Sequence, residues 1–387
     1  MLKNWLTYLF LLLISVQLCG QVATFNNAYP QGGANWGRSI ISQNDGSVVV
    51  FGTGNPYPNS VSLLSKKIDP QGDIIWENSL GQEDEYYFNS LSGSTIPVSN
   101  GGYITAGTFQ FFNPELESDA MLVRFDSFGD TLWTQRYETS DFTIGYSVTE
   151  TTDQGFLLCG FIDFGPNVQD DALIIKTDSL GNKEWSTYIG NNGTLIDRAI
   201  DAVVTENGYI VTVGKNLNPS STNSTYQSVL ISLDLDGNIV GERFINTGNL
   251  PRIQSSKDSG YFIIQGKDTL FNNTDYSIQR LYKLEEDLSL SWQISFLKGE
   301  YFGISQLEVL PNNNVLLVGS LFNNNQDFIG WISKVDSNGN ILWEYTYQFN
   351  PDWNNYLRDI STTQDGGIIA TGSTRTIENL ESAMWLL

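Results

Sequence analysis

The side chains that could do chemistry in this sequence are arginines and carboxylates, because the chain holds no histidine. That absence removes Ser-His-Asp and Cys-His triads, imidazole metal ligands and imidazole general bases together. Four of the nine arginines stand at nearly one register. Arg38, Arg252 and Arg358 each lie 14 residues before a glycine that recurs down the chain, and Arg198 lies 16 before its own. Aromatics flank them: Trp36, Tyr146, Trp353 and Tyr356. A guanidinium offers a planar fork of charged donors, and aromatic faces line many small-molecule pockets. These eight residues form the candidate ligand-binding set, suited to an anionic or sugar-like ligand. The same pattern has a structural reading, in which each Arg pairs with an acid such as Asp197, Asp201 or Asp359 and pins neighbouring units together.

No catalytic residue is assigned. Two carboxylates can support glycoside hydrolysis, and Asp84-Glu85 and Asp170-Asp171 are adjacent pairs. Loop acids in an acidic protein are ordinarily solvated, so a carboxylate enzyme acting on extracellular polysaccharide stays the alternative. Asp234-x-Asp236-Gly237-Asn238 opens like a calcium loop, but Ile245 stands where the bidentate Glu belongs. It reads as a divergent turn, and no metal is expected. The Gly-Gly pairs lie between strand signals and not before helices, so no phosphate cradle and no cofactor are expected.

The elements that must position these residues are repeats. The recurring glycine is Gly52, Gly107, Gly160, Gly214, Gly266, Gly319 and Gly372, at spacings of 55, 53, 54, 52, 53 and 53. A turn signal and an apolar strand precede each, as in Asp45-Gly46 before Val48-Val49-Val50. A second signature follows: a β-rich run, then Asp-x-x-Gly, then Trp seven residues after the Asp. It reads Asp69, Gly72, Trp76; Asp126, Gly129, Trp133; Asp178, Gly181, Trp185; and Asp336, Gly339, Trp343. The fourth copy keeps Asp234 and Gly237 but has Gly241 at the Trp position; the fifth keeps Trp292 but has Glu285 and Leu288 in the turn. The Asp caps a turn, the Gly takes its left-handed position, and the Trp starts a strand that buries its ring on a neighbour.

Each unit thus holds four strands in about 53 residues, which matches a propeller blade. No 3.6-residue period appears. The fold expected is all-β: a single β-propeller of seven four-stranded blades. Its last unit reaches only a third strand, Ser382-Ala383-Met384-Trp385-Leu386-Leu387. At the other end Phe25 precedes Arg38 by 13 residues, as Trp185 precedes Arg198. Phe25 therefore takes the Trp position of an orphan fourth strand, and 23–29 is expected to complete blade seven and close the ring.

The Asp-x-x-Gly-x-x-x-Trp copies resemble the PQQ-like repeat propellers and, more closely, secreted Bacteroidetes-type propeller proteins. The resemblance covers roughly residues 25–387 and implies the fold. Quinone-dependent dehydrogenases of the first group have eight blades and cofactor ligands with no counterpart here. The sorting tail common in the second group is absent. The chain stops where such proteins continue with Lys-x-Asp-x-x-Gly, which leaves open that Leu387 ends a fragment.

The formal net charge is −23. Such a surface repels phosphate backbones and anionic lipid heads, so nucleic acid is not expected as a partner. No segment after the signal region is long and apolar enough to span a bilayer, so membrane insertion is not expected. Residues 1–20 read as a signal peptide, with Lys3 as n-region, Leu6 to Val16 as h-region and Gly20 before the cleavage point. Acylation of Cys19 is the lipoprotein alternative, and Leu18 before it is a poor match. Cys159 sits in an apolar run and reads as a buried small hydrophobe. The expectation is a secreted or surface-displayed monomer, residues 21–387, that binds a protein or glycan. The loop Asn216–Thr225 and the segment Phe109–Glu117 are candidate contacts. A structural module of a longer surface protein is the third reading.

Overall fold

The computed structural model describes residues 25–30, 35–56, 60–89, 91–112, 116–137, 142–164, 170–190, 196–216, 226–271, 274–299, 301–322, 327–376 and 382–387. The expected signal peptide, residues 217–225 and residues 113–115 lie outside them. The described residues form seven antiparallel sheets and no helix. The blades span 35–80, 86–137, 142–189, 196–247, 249–297, 303–347 and 353–386. The chain is a seven-bladed β-propeller, as the repeat predicts.

Patterning explains the layers. The two middle strands of a blade are covered on both faces, so they are continuously apolar: Phe156–Asp163 and Asp171–Thr177 are buried along nearly their whole length. The outer strand shows one face to water and alternates, as in Ile341–Tyr347. Seven apolar clusters form, one between each adjacent pair of blades.

The Asp-x-x-Gly-x-x-x-Trp repeat turns out to join blades. Asp69 Oδ1 accepts the backbone N–H groups of Gln71 (2.9 Å) and Asp73 (2.8 Å), and Gly72 adopts φ +93°. The outer-strand ring of one blade lies against the turn glycine of the next: Trp76 on Gly129, Trp133 on Gly181, Trp185 on Gly237 and Trp292 on Gly339. Trp185 and Trp292 also donate Nε1–H to Leu235 O (3.1 Å) and Ser337 O (3.0 Å). The degenerate copies follow from this contact. Blade four offers Gly241 in place of an indole, and the facing turn of blade five replaces Gly by Leu288, which packs with Ile245 into the room left over.

Ring closure follows the same rule. Asn27–Tyr29 pairs with Ser382–Leu386 as the fourth strand of blade seven. Phe25 packs on Gly72 of blade one. Tyr29 donates its hydroxyl to Gly72 O at 2.9 Å, as Tyr137 does to Gly181 O at 2.9 Å.

The recurring glycine serves a β-bulge. In blades one, three, six and seven the innermost strand carries one extra residue, Arg38, Tyr146, Ser305 or Arg358. The bulge drives a carbonyl of the innermost strand onto the second strand. A Cβ on Gly52, Gly160, Gly319 or Gly372 would overlap the carbonyl oxygen of Trp36, Ile144, Gly303 or Tyr356. Blade two departs from the four-strand pattern: its innermost strand breaks into Tyr86–Phe88 and Thr95–Pro97. Gly372→Ala is expected to cost about 1–3 kcal/mol or more, because the backbone of Tyr356 must move. Gly303→Ala, where a Cβ meets nothing within 4 Å, serves as the control. Equal denaturation midpoints for the two variants would refute the bulge account.

Candidate functional site

A bulged residue in an innermost strand turns its side chain into the central channel. Blades one and seven therefore aim Arg38 and Arg358 there, and blade six aims Ser305. Blade five differs from the sequence reading. Its bulge falls between Asn249 and Arg252, opposite Gln265, so Gly266 is one residue past the equivalent position. In blade four the bulge is at Ile200, opposite Val213, and Gly214 is likewise one residue late. Arg252 thus stands just after its bulge, at the register of Ser39, Gln306 and Asp359 in other blades. It is 6% exposed.

The three arginines still meet. Arg38, Arg252 and Arg358 line one cavity of about 310 Å³ at the end of the channel where the innermost strands begin. Tyr301, Phe328 and Tyr356 form its aromatic side, with Ser92, Ser305 and Ser320 between. Among the described residues, no Asp or Glu lines it. Among the described residues, no carboxylate lies within ion-pair distance of these three guanidiniums. Arg38 Nε is buried without a hydrogen-bond partner. Burial, reinforced by the charges of Arg358 and Arg252, pulls the Arg38 guanidinium down to about 10, so it stays charged at neutral pH. Burial lowers Arg358 too; Tyr356 opposes this and Arg252 adds to it. Arg358 lies 5.4 Å from the centre of the Tyr356 ring.

The acids proposed as Arg partners do something else. Asp359 accepts Ile40 N of the next blade (2.9 Å) and its own neighbour Ile360 N (2.9 Å). Asp201 accepts Ala202 N (3.0 Å) and Ile253 N of the next blade (3.3 Å). They pin blades through backbone amides. Both act on Arg252 only from beyond ion-pair distance. Asp197 is buried with neither oxygen bonded.

Arg198 is not part of this cluster. It bonds Asp170 at 2.9 Å and lies 4.7 Å over the Phe161 ring, so the structural reading fits it. Tyr146 packs on Phe161, with Ile200, on the apolar side of the channel. Trp353 packs on Phe349 at 6.0 Å, and Trp36 is half-buried beside Thr53; neither lines the cavity. Sequence reasoning missed Tyr301, Phe328 and the floor. The break in blade two's innermost strand carries Leu91, Ser92 and Gly93 across the channel. Gly93 N donates to Arg38 O at 2.9 Å, and a Cβ there would overlap the Gln306 amide of blade six. The run Ser-Leu-Ser-Gly-Ser at 90–94 was the available signal.

No family model matches the chain, and no curated protein matches it. Solved structures do resemble it. An uncharacterised protein from Dyadobacter fermentans is 10% identical, with 94% of this chain and 98% of that one covered and a TM-score of 0.48. A polysaccharide lyase is 7% identical over 96% and 93%, at a TM-score of 0.49. An α-L-arabinanase from Penicillium chrysogenum, complexed with arabinobiose, is 10% identical over 94% and 98%, at 0.46. No helix among the described residues is long and apolar enough to cross a membrane.

The buried acids set a pH dependence. Burial raises Asp359 from 3.8 to about 7 against its backbone hydrogen bonds and the charge of Arg252. The folded chain keeps this proton after the unfolded chain has released it, so stability falls as pH rises from about 4 to 7. Burial raises Asp197 to about 6, with the same sign. Asp153 is opposite: burial works against it, but Lys176 and Thr151 hold it down at about 2. Its contribution is lost only in acid, below about pH 4. The thermal midpoint is expected to peak near pH 4 and fall by a few degrees by pH 8. Asp359→Asn is expected to flatten that fall; an unchanged slope in this variant would disprove the assignment.

Proposed function

We propose that this propeller is a secreted or surface-displayed, non-catalytic binding protein that takes a protein or glycan ligand at the mouth of its channel. One observation carries the reading: buried Arg252 and half-buried Arg38 and Arg358 converge on one cavity, with no carboxylate among the described residues within ion-pair distance, in a chain of net charge −23. Burying like charges together costs several kcal/mol. A strut would have been given an acid, as Arg198 was given Asp170. Perturbed charges gathered in a cleft mark binding sites more often than structural ones. The carboxylate-enzyme alternative would need acids at this cavity, and its described lining holds none. The signal-peptide pattern of residues 1–20 and the resemblance of the blade motif to secreted propellers support the location.

The test is a glycan-array and pull-down screen with the Arg38→Ala/Arg358→Ala double variant as control. A ligand captured by the wild type and lost in the variant is expected. The variant's thermal midpoint is expected to hold or rise, since like-charge repulsion is relieved. A midpoint lowered by several degrees with ligand capture intact would make the arginines struts. Shortening of a captured polysaccharide by the wild type would overturn the non-catalytic reading.

A further inference from the structure

We propose that the cavity receives an acidic saccharide, its carboxylate or sulfate set among Arg38, Arg252 and Arg358 and its sugar ring laid on Tyr301. This rests on the binding reading above and names its ligand class.

The cavity holds three cations, and the two acids that act on Arg252, Asp201 and Asp359, bind backbone amides and sit outside the lining. A neutral sugar would displace water from these guanidiniums and supply no counter-charge. An oxyanion supplies both the charge and acceptors for Arg forks.

Aromatic rings run inward from solvent to the arginines. Tyr301 is 59% exposed at the lip. It meets Phe322 at 5.6 Å and Phe328 at 6.5 Å. Phe328 meets Tyr356 at 4.8 Å, and Tyr356 carries Arg358. Tyr301 is also held at φ +52°, a left-handed conformation that strains a non-glycine residue. Strained backbone positions cluster at ligand sites, and this one sets an exposed ring beside the cavity. A flat, apolar ring face suits the C–H face of a pyranose, whose hydroxyls then point outward to water.

Size and long-range charge narrow the class. About 310 Å³ is at the lower end for ligand pockets, which run from roughly 300 to 1,000 Å³. It fits one or two sugar units. The net charge of −23 opposes a long polyanion, but salt screens that field beyond roughly 8 Å. A single acidic residue, free or at the end of a chain, is therefore favoured over an extended acidic polymer.

The test is calorimetric titration at physiological ionic strength with four probes: glucuronate, glucose 6-sulfate, glucose and inorganic phosphate. At least one acidic sugar is expected to bind tenfold or more tightly than glucose. Arg38→Gln/Arg358→Gln is expected to abolish that binding with no drop in thermal midpoint, and Arg38→Lys/Arg358→Lys to retain part of it. Tyr301→Ala is expected to weaken the acidic sugar about tenfold while leaving phosphate unchanged. Phosphate binding as tightly as either acidic sugar, with no effect of Tyr301→Ala, would sink the saccharide proposal and leave the cavity a plain anion site. Glucose binding as well as the acidic sugars would also sink it. No response to any probe would overturn it too, and only an empty ligand screen besides would remove the binding reading.

Discussion

In blades one, three, six and seven the bulge of the innermost strand drives a carbonyl over the strand beside it, and a glycine there leaves the room. The placement of Arg38 and Arg358 depends on that fit. The extra residue breaks the alternation of the strand, so one side chain that would have faced a neighbouring blade faces the axis instead. Arg38 and Arg358 reach the cavity by this route. The residue after the bulge is returned to the blade interface, where Asp359 and Ser39 accept backbone amides of the next blade. One local irregularity thus divides labour between adjacent residues: one lines the channel and the next ties the ring.

The ring itself is held at its rim by a second repeated contact, between an outer-strand ring and the turn glycine of the following blade. That contact crosses between blades, so the two halves of the motif must change together. Gly241 and Leu288 show this: where the indole is gone, the facing turn no longer needs a glycine. Phe25 and Tyr29 apply the same rule across the closure, as at the four interfaces that keep an indole over a turn glycine.

Against this regular frame the channel is asymmetric. Blades two to four supply Leu91, Tyr146 and Ile200, an apolar side, and blades five to one supply the arginines. Three arginines, one buried and two half-buried, stand together on one side. Their repulsion is a cost that packing elsewhere offsets, and an anion would relieve it.

The blade repeat, the number of blades and the closing strand are legible in the sequence, because each depends on contacts that recur at a fixed spacing. Turn chemistry and periodic apolar runs repeat whether or not the ring is seen. Which arginines meet is not legible at that level. Counting back from the recurring glycine puts Arg252 in register with Arg38 and Arg358, yet its bulge sits elsewhere, and Arg252 reaches the cavity from the interface position. The same count groups Arg198 with them, although an acid on the neighbouring blade holds it away. Tyr301, Phe328 and the floor at 91–93 belong to irregular segments with no periodic signal. The sequence determined the repeating frame through local, short-range preferences. The tertiary structure alone decided the site, because bringing residues from blades one, two, five, six and seven to one end of the channel is a property of the closed ring.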